Sequence, residues 1–156
     1  MAASRCETDA GYRALDFWVG NWEVFEGTTK SGENSIVKIL NGCAIVENWK
    51  DVQNNQGKSF FYLLPVAGHW KQVWVQDDGF VKEKEVVSDV IENGIRFQGL
   101  MKLKNGTHYL DRTTLIKINA DRVRQLIEVS SDEGKTWRAT FDAVYVRNNK
   151  IAIPMM

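Results

Sequence analysis

Residues 136–147 read TWRATFDAVYVR. Trp137, Ala139, Phe141, Ala143, Tyr145 and Arg147 fall on one side of an extended chain, with Arg138, Thr140, Asp142, Val144 and Val146 on the other. Alternation over that length predicts a strand with one buried face. Shorter stretches repeat the pattern. NWEVFEG (21–27) puts Trp22, Val24 and Glu26 opposite Glu23 and Phe25, and HWKQVWV (69–75) groups Trp70, Gln72 and Trp74 against Lys71, Val73 and Val75.

Between such stretches lie turn signals: SGE at 31–33, NG at 41–42, NNQG at 54–57, DDG at 77–79, ENG at 92–94, NG at 105–106, NAD at 119–121 and DEG at 132–134. Asn-Gly and Asp-Gly pairs tolerate the positive φ that tight hairpins require. Segments of roughly 8–12 residues between turns indicate an all-β protein. The count comes to about ten antiparallel strands, more comfortable closed than open. The expected fold is a single up-and-down β-barrel. Residues 1–14 form an N-terminal extension with a short helix, 15–147 the barrel, and 148–156 an apolar tail. Thr8 or Asp9 is positioned to cap the helical turns of TDAGYRALDFWVG. Three placements suit the tail KIAIPMM: an edge strand, a cover over one mouth, or packing on a second subunit in a homodimer.

Lysines and arginines number 20, as do aspartates and glutamates, leaving no net charge. Phosphate binding needs a basic surplus or a basic face, so nucleic acid is not an expected partner. The N-terminus has no apolar core of a secretory signal, and no apolar run reaches the roughly 20 residues that span a bilayer. A cytoplasmic protein without a membrane partner is expected. Cys6 and Cys43 lack metal-ligand spacing and read as two free thiols, with a disulfide as the alternative.

Residues 130–137, SSDEGKTW, fit the Asp-box pattern Ser-x-Asp-x-Gly-x-Thr-Trp known from sugar-active propellers. A propeller needs at least four blades of about four strands each, and this chain carries one copy in 156 residues. The motif therefore reads as a hairpin, with Asp132 accepting turn amides, Gly134 at positive φ and Trp137 starting a strand on its core face.

No metal or cofactor is expected, since the only histidines are His69 and His108. A haem ligated by either is the alternative. Ser59 lacks a nucleophile elbow, and no glycine-rich phosphate loop is present. What remains is a polar set sharing faces with aromatic residues: Glu47, Gln72, Arg112 and Gln125, alongside Trp49, Phe61, Trp70 and Trp74. If those faces line a barrel, the set reads as anchors and wall of a small-molecule site, with Glu47 and Arg112 pairing. The expected partner is a small, mostly hydrophobic ligand. An isomerase, cyclase or lyase using Glu47 as acid or base is the alternative.

Gly20-Asn21-Trp22 in LDFWVGNWEVF, with Arg147 at the end of YVR, resembles the G-x-W signature and closing arginine of lipocalin-type (calycin) barrels. Together with NGCAIVENW, HWKQVWV, RVRQLIEVSSDEGKTW and FDAVYVR, the segments resemble a bacterial family of uncharacterised calycin-like barrels, a domain of unknown function, from about Leu15 to Arg147. The resemblance implies that Arg147 packs on Trp22 to close the barrel floor and that a hydrophobic small molecule is held inside.

Overall fold

The computed structural model describes residues 2–150. Ten strands follow one another around a closed antiparallel barrel. They are β1 (Gly20–Glu26), β2 (Thr29–Ile39), β3 (Ala44–Asp51), β4 (Gln56–Leu63), β5 (Trp70–Gln76), β6 (Val81–Val86), β7 (Gly94–Lys102), β8 (His108–Asn119), β9 (Arg122–Ser130) and β10 (Arg138–Arg147). Each pairs with its neighbour in the chain, and β10 returns to β1 with Trp22 opposite Arg147. Closure leaves no strand edge open to pairing. The geometry is consistent with a calycin-like barrel. No helix among the described residues is long and apolar enough to cross a membrane. Residues 151–156 of the apolar tail, and the placements expected for it, lie outside the described residues.

The N-terminal segment plugs one end. A one-turn helix α1 (Arg5–Thr8) leads into 3₁₀ turns at Ala10–Arg13 and Asp16–Trp18. Asp9, one of the two expected caps, accepts the Gly11 amide at 2.9 Å. Leu15 and Trp18 are then fully buried on the floor. Trp18 meets Phe61 edge-on at 5.4 Å, and Phe61 meets Phe97 at 5.5 Å. Trp22 donates its indole N–H to the Trp18 carbonyl at 2.8 Å. Above this ring the Arg147 guanidinium lies 4.2 Å from the Trp22 ring centre, an arrangement that combines cation–π attraction with shape. Its N–H groups reach the carbonyls of Val19 (2.9 Å) and Ala120 (3.1 Å). Gly20 sits at φ +138°, and a Cβ there would occupy the space of the Arg147 guanidinium. The glycine of the G-x-W signature is thus required by the arginine 127 positions downstream, an explanation that spacing alone does not supply.

The plug is also fastened covalently. Cys6 in α1 is disulfide-bonded to Cys43, just before β3 and 37 positions further along the chain. This corrects the expectation of two free thiols. The two cysteines carry no pairing signal in sequence because only folding brings the terminus beneath the β2–β3 corner. Ser4 adds a hydrogen bond to the Asn41 carbonyl at that corner. Intact protein is expected to show no reactive thiol. Reduction should lower stability by about 2–4 kcal/mol, the usual effect of opening a loop of this size. Urea unfolding with and without a phosphine reductant measures it; an unchanged midpoint would mean the plug holds by packing alone.

β10 departs from simple alternation. Arg138 and Ala139 pair with Val129 and Glu128, but Phe141 pairs with Ile127, so Thr140 is an extra residue in the ladder. Such a bulge reverses the side-chain phase of the residues before it. Phe141, Ala143 and Tyr145 face the interior as expected. Trp137, expected on the core face, instead lies outside the barrel. There it covers Arg112, whose guanidinium carbon is 3.8 Å from the ring centre. Arg112 likewise corrects the expectation that it points inward to Glu47. It projects outward and pairs with Glu128 on β9 at 2.9 Å, because the inward register of β8 is Asp111, Thr113 and Leu115. An unscreened guanidinium inside would need a buried partner, whereas outside it finds a carboxylate and a ring at little desolvation cost.

The Asp-box hairpin performs the mechanical task expected of it. Asp132 accepts the Thr136 amide at 2.8 Å and its hydroxyl at 2.6 Å, while the Ser130 hydroxyl accepts the Gly134 amide at 2.8 Å. The two Thr136 bonds, with a further one donated by the Ser130 hydroxyl at 2.8 Å, hold the Asp132 carboxyl down to about 2. The Trp137 indole closes the loop on the Gly134 carbonyl.

Candidate functional site

Above the aromatic floor the barrel is hollow. A cavity of about 280 Å³ is lined by residues of six strands, close to the lower end of the ~300–1,000 Å³ typical of ligand sites. It opens at the end opposite the plug, where partly exposed Gln76 and Lys82 and exposed Thr140 contribute to its wall. Two glycines make room for the tryptophans of the rim. The Trp74 indole lies where a Cβ of Gly57 would stand, and Trp49 covers Gly32 at 2.8 Å from the corresponding position. Trp49 also meets Phe141 edge-on at 6.3 Å.

Between floor and rim runs a tier of polar side chains. On one side, Asn34 donates to both Glu47 Oε2 (2.7 Å) and Tyr145 Oη (2.9 Å), and the Tyr145 hydroxyl donates to Gln125 (2.8 Å). Ser59 also bonds Glu47, and it accepts from the Gln72 amide at 2.9 Å. On the other side, Lys84 Nζ donates to Asp111 Oδ1 at 2.6 Å and to Thr113 Oγ1 at 2.8 Å. Lys82 Nζ takes the second Asp111 oxygen, also at 2.6 Å. Asp111 is 1% exposed and Lys84 4%.

Burial governs the charges. It raises the Glu47 carboxyl above its usual range, against the opposing hydrogen bonds of Asn34 and Ser59 and the charge of Lys84. It lowers the Lys84 ammonium to about 8; Asp111 resists that shift and the Lys82 charge assists it. The Tyr145 hydroxyl is held well above its ordinary value, first by burial and then by Glu47. Two acceptors in this tier, Asn34 Oδ1 and Gln72 Oε1, have no hydrogen-bond partner in the described protein.

The elevated Glu47 has a measurable consequence. Between its ordinary value near 4.5 and its raised folded value, the native state holds a proton that the unfolded chain has released. This contribution to stability is complete below that window and disappears as pH rises through the folded value. Glu47→Gln is expected to flatten that limb of a plot of urea midpoint against pH. Parallel curves for the two proteins would refute the shift.

Of the residues singled out in sequence, Glu47, Gln72, Gln125, Trp49 and Trp74 meet around this cavity. Phe61 and Trp70 lie lower, packed into the floor, with the Trp70 N–H bonded to the Gly11 carbonyl at 3.1 Å. Arg112 is on the outer surface. Neither histidine lines the cavity: His69 pairs with Glu85 at 2.9 Å, and His108 is exposed at the start of β8. A haem inside the barrel would therefore find no histidine ligand in its wall. Sequence reasoning missed Lys82, Lys84 and Asp111. The signal lay in VKEKEV, whose alternation places lysines on one face and glutamates on the other. A barrel strand must turn one of those faces inward.

No family profile matches the chain, and neither does any curated protein. The barrel's geometry thus carries the functional reading without support from a relative.

Proposed function

We propose that the barrel binds one small, mostly hydrophobic molecule, seated between the rim tryptophans and the polar tier. The cavity itself carries this reading, since a barrel of this size filled by its own side chains would leave no such space. Trp49, Trp74, Ile127 and Phe141 supply apolar wall, and Gln72, Gln125 and Glu47 supply a few fixed polar contacts, the usual division of labour in such sites. The Gln72 acceptor suits a ligand that carries one hydroxyl or N–H donor, because leaving a buried acceptor unpaired costs about 1–3 kcal/mol. The G-x-W glycine and tryptophan, with Arg147, support kinship with the uncharacterised bacterial calycin-like family. The Cys6–Cys43 disulfide favours an oxidising compartment over the expected cytoplasm.

Native mass spectrometry of freshly purified protein tests for a retained molecule, and titration with naphthylmethanol tests the space directly. Saturable one-to-one quenching of tryptophan emission is expected, abolished by Ile127→Trp, which fills the cavity. Unsaturable quenching, or the same quenching in the filled variant, would overturn the proposal.

A second reading is favoured by the state of Glu47. A buried carboxyl whose hold on its proton is strengthened by burial, and which lines a cavity, is suited to act as a general acid. An isomerase, cyclase or lyase acting on a hydrophobic metabolite would use it so.

A further inference from the structure

Lys82 and Lys84 alternate along β6, both line the cavity, and they share the single carboxylate of buried Asp111. Holding two strands together needs only one lysine for one aspartate. The geometry points to Lys84 as an amine that captures small aldehydes and ketones as imines, with Glu47 supplying the proton that removes the carbonyl oxygen. This rests on the cavity's admitting a small apolar molecule, and it adds a reacting group to that molecule.

Four features of the site support the step. An amine becomes nucleophilic when it is stripped of water and placed beside another cation. Lys84 has both conditions, and its proton is correspondingly loosened to about 8. In its neutral form Lys84 has two N–H donors, which match its two acceptors, Asp111 Oδ1 and Thr113 Oγ1. The nitrogen lone pair is then left for a substrate. Gln72 stands directly opposite Lys84 in the β5–β6 pairing. Its Oε1 is unpaired although the residue is only 8% exposed, and it lines the same cavity as Lys84 and Glu47. Asp111 remains as counter-ion once the nitrogen carries positive charge again.

The lone pair of Nζ forms the C–N bond as the carbonyl π pair moves to oxygen. One proton passes from nitrogen to that oxygen, giving a neutral carbinolamine whose hydroxyl finds its acceptor in Gln72. Glu47 then protonates the hydroxyl, the C–O bond breaks and water leaves. The nitrogen pair closes the C=N bond, which leaves a protonated imine on Lys84 and a carboxylate on Glu47. No oxidant or reductant takes part, and hydrolysis reverses the sequence.

The intact protein is incubated with naphthaldehyde and cyanoborohydride at neutral pH, which converts each imine into a stable secondary amine, and the labelled lysines are located by peptide mapping. Lys84 is expected to label at least about tenfold faster than exposed lysines such as Lys102 and Lys104, consistent with the usual gain from a positioned proton donor. Glu47→Gln should slow that labelling about tenfold, and Lys84→Arg, which keeps the charge on Asp111, should abolish it without unfolding the barrel. Because mapping reads the unmodified protein, the result does not depend on any variant's folding. Label confined to surface lysines would overturn the assignment. If naphthylmethanol still quenches tryptophan in the same samples, the loss falls on imine capture and the binding reading stands; if it does not, both fall.

Discussion

Asp111→Ala is expected to lower the stability of the barrel by about 3–5 kcal/mol, the usual result of removing one partner from a buried ionic group. Asp111 is the only carboxylate in contact with either Lys82 or Lys84 among the described ion pairs, and each of its oxygens serves one of them at 2.6 Å. Its loss leaves two ammonium groups in a half-dry cavity. Lys84, already drawn from 10.5 to about 8 by burial, would fall further. The sign of the pH dependence follows. A base whose folded pKa lies below its unfolded value penalises folding while it is charged, and that penalty is relieved as pH rises through the window between the two values. Because wild-type Lys84 itself gives up its proton near 8, the deficit of Asp111→Ala relative to wild type should shrink as pH rises toward about 8 and level off above it. The double variant Lys84→Met/Asp111→Leu removes charge and counter-charge together and should recover most of the loss. Urea midpoints across that range decide the matter. A deficit independent of pH would show that Asp111 acts through packing instead of charge.

Trp22→Ala is expected to cost about 3–5 kcal/mol, in line with other fully buried aromatic residues. Trp22 is 0% exposed and bears on three separate structures. Its N–H holds the Trp18 carbonyl of the plug, its face carries the Arg147 guanidinium, and its edge meets Tyr145 at 6.0 Å. The last contact reaches into the polar tier, because Tyr145 bonds Asn34 and Gln125. Loss of Trp22 should thus weaken ligand binding as well as folding. Arg147→Lys, by contrast, keeps the charge but loses the fork that spans Val19 and Ala120, and its effect should be clearly smaller. Thermal unfolding of the two variants separates the roles; equal losses would mean that the guanidinium fork holds the floor as strongly as the indole does.

The barrel was legible in the sequence because its two determinants are local. Hairpin turns need positive φ, which Asn-Gly and Asp-Gly declare. A half-buried strand needs alternation, which HWKQVWV and FDAVYVR display. Five of the eight residues named as wall and anchors reached the cavity on that basis alone. The other three missed for identifiable reasons. Phe61 and Trp70 face inward as expected but sit a layer too low, since alternation says which face a residue takes and not how far it stands from the plug. Arg112 sits on a strand, THYLDRTTLI, where both faces carry polar groups, so alternation gives no preference between Arg112 and Asp111.

Turn chemistry and period-two patterning are properties of a few consecutive residues, so the amino-acid sequence by itself determined strand number and hairpin order, while the closing pair of Trp22 and Arg147 is what the resemblance to calycin barrels implied. Three features were decided only by tertiary structure. The bulge at Thr140 turned Trp137 outward, the disulfide joined positions 37 apart, and Lys82 and Lys84 met their counter-ion Asp111 from two strands away. Each depends on which distant groups closure brings together, and the energy of a buried charge is set by such partners rather than by its neighbours in the chain. The fold is written locally, whereas the chemistry of its interior arises when the ring of strands closes.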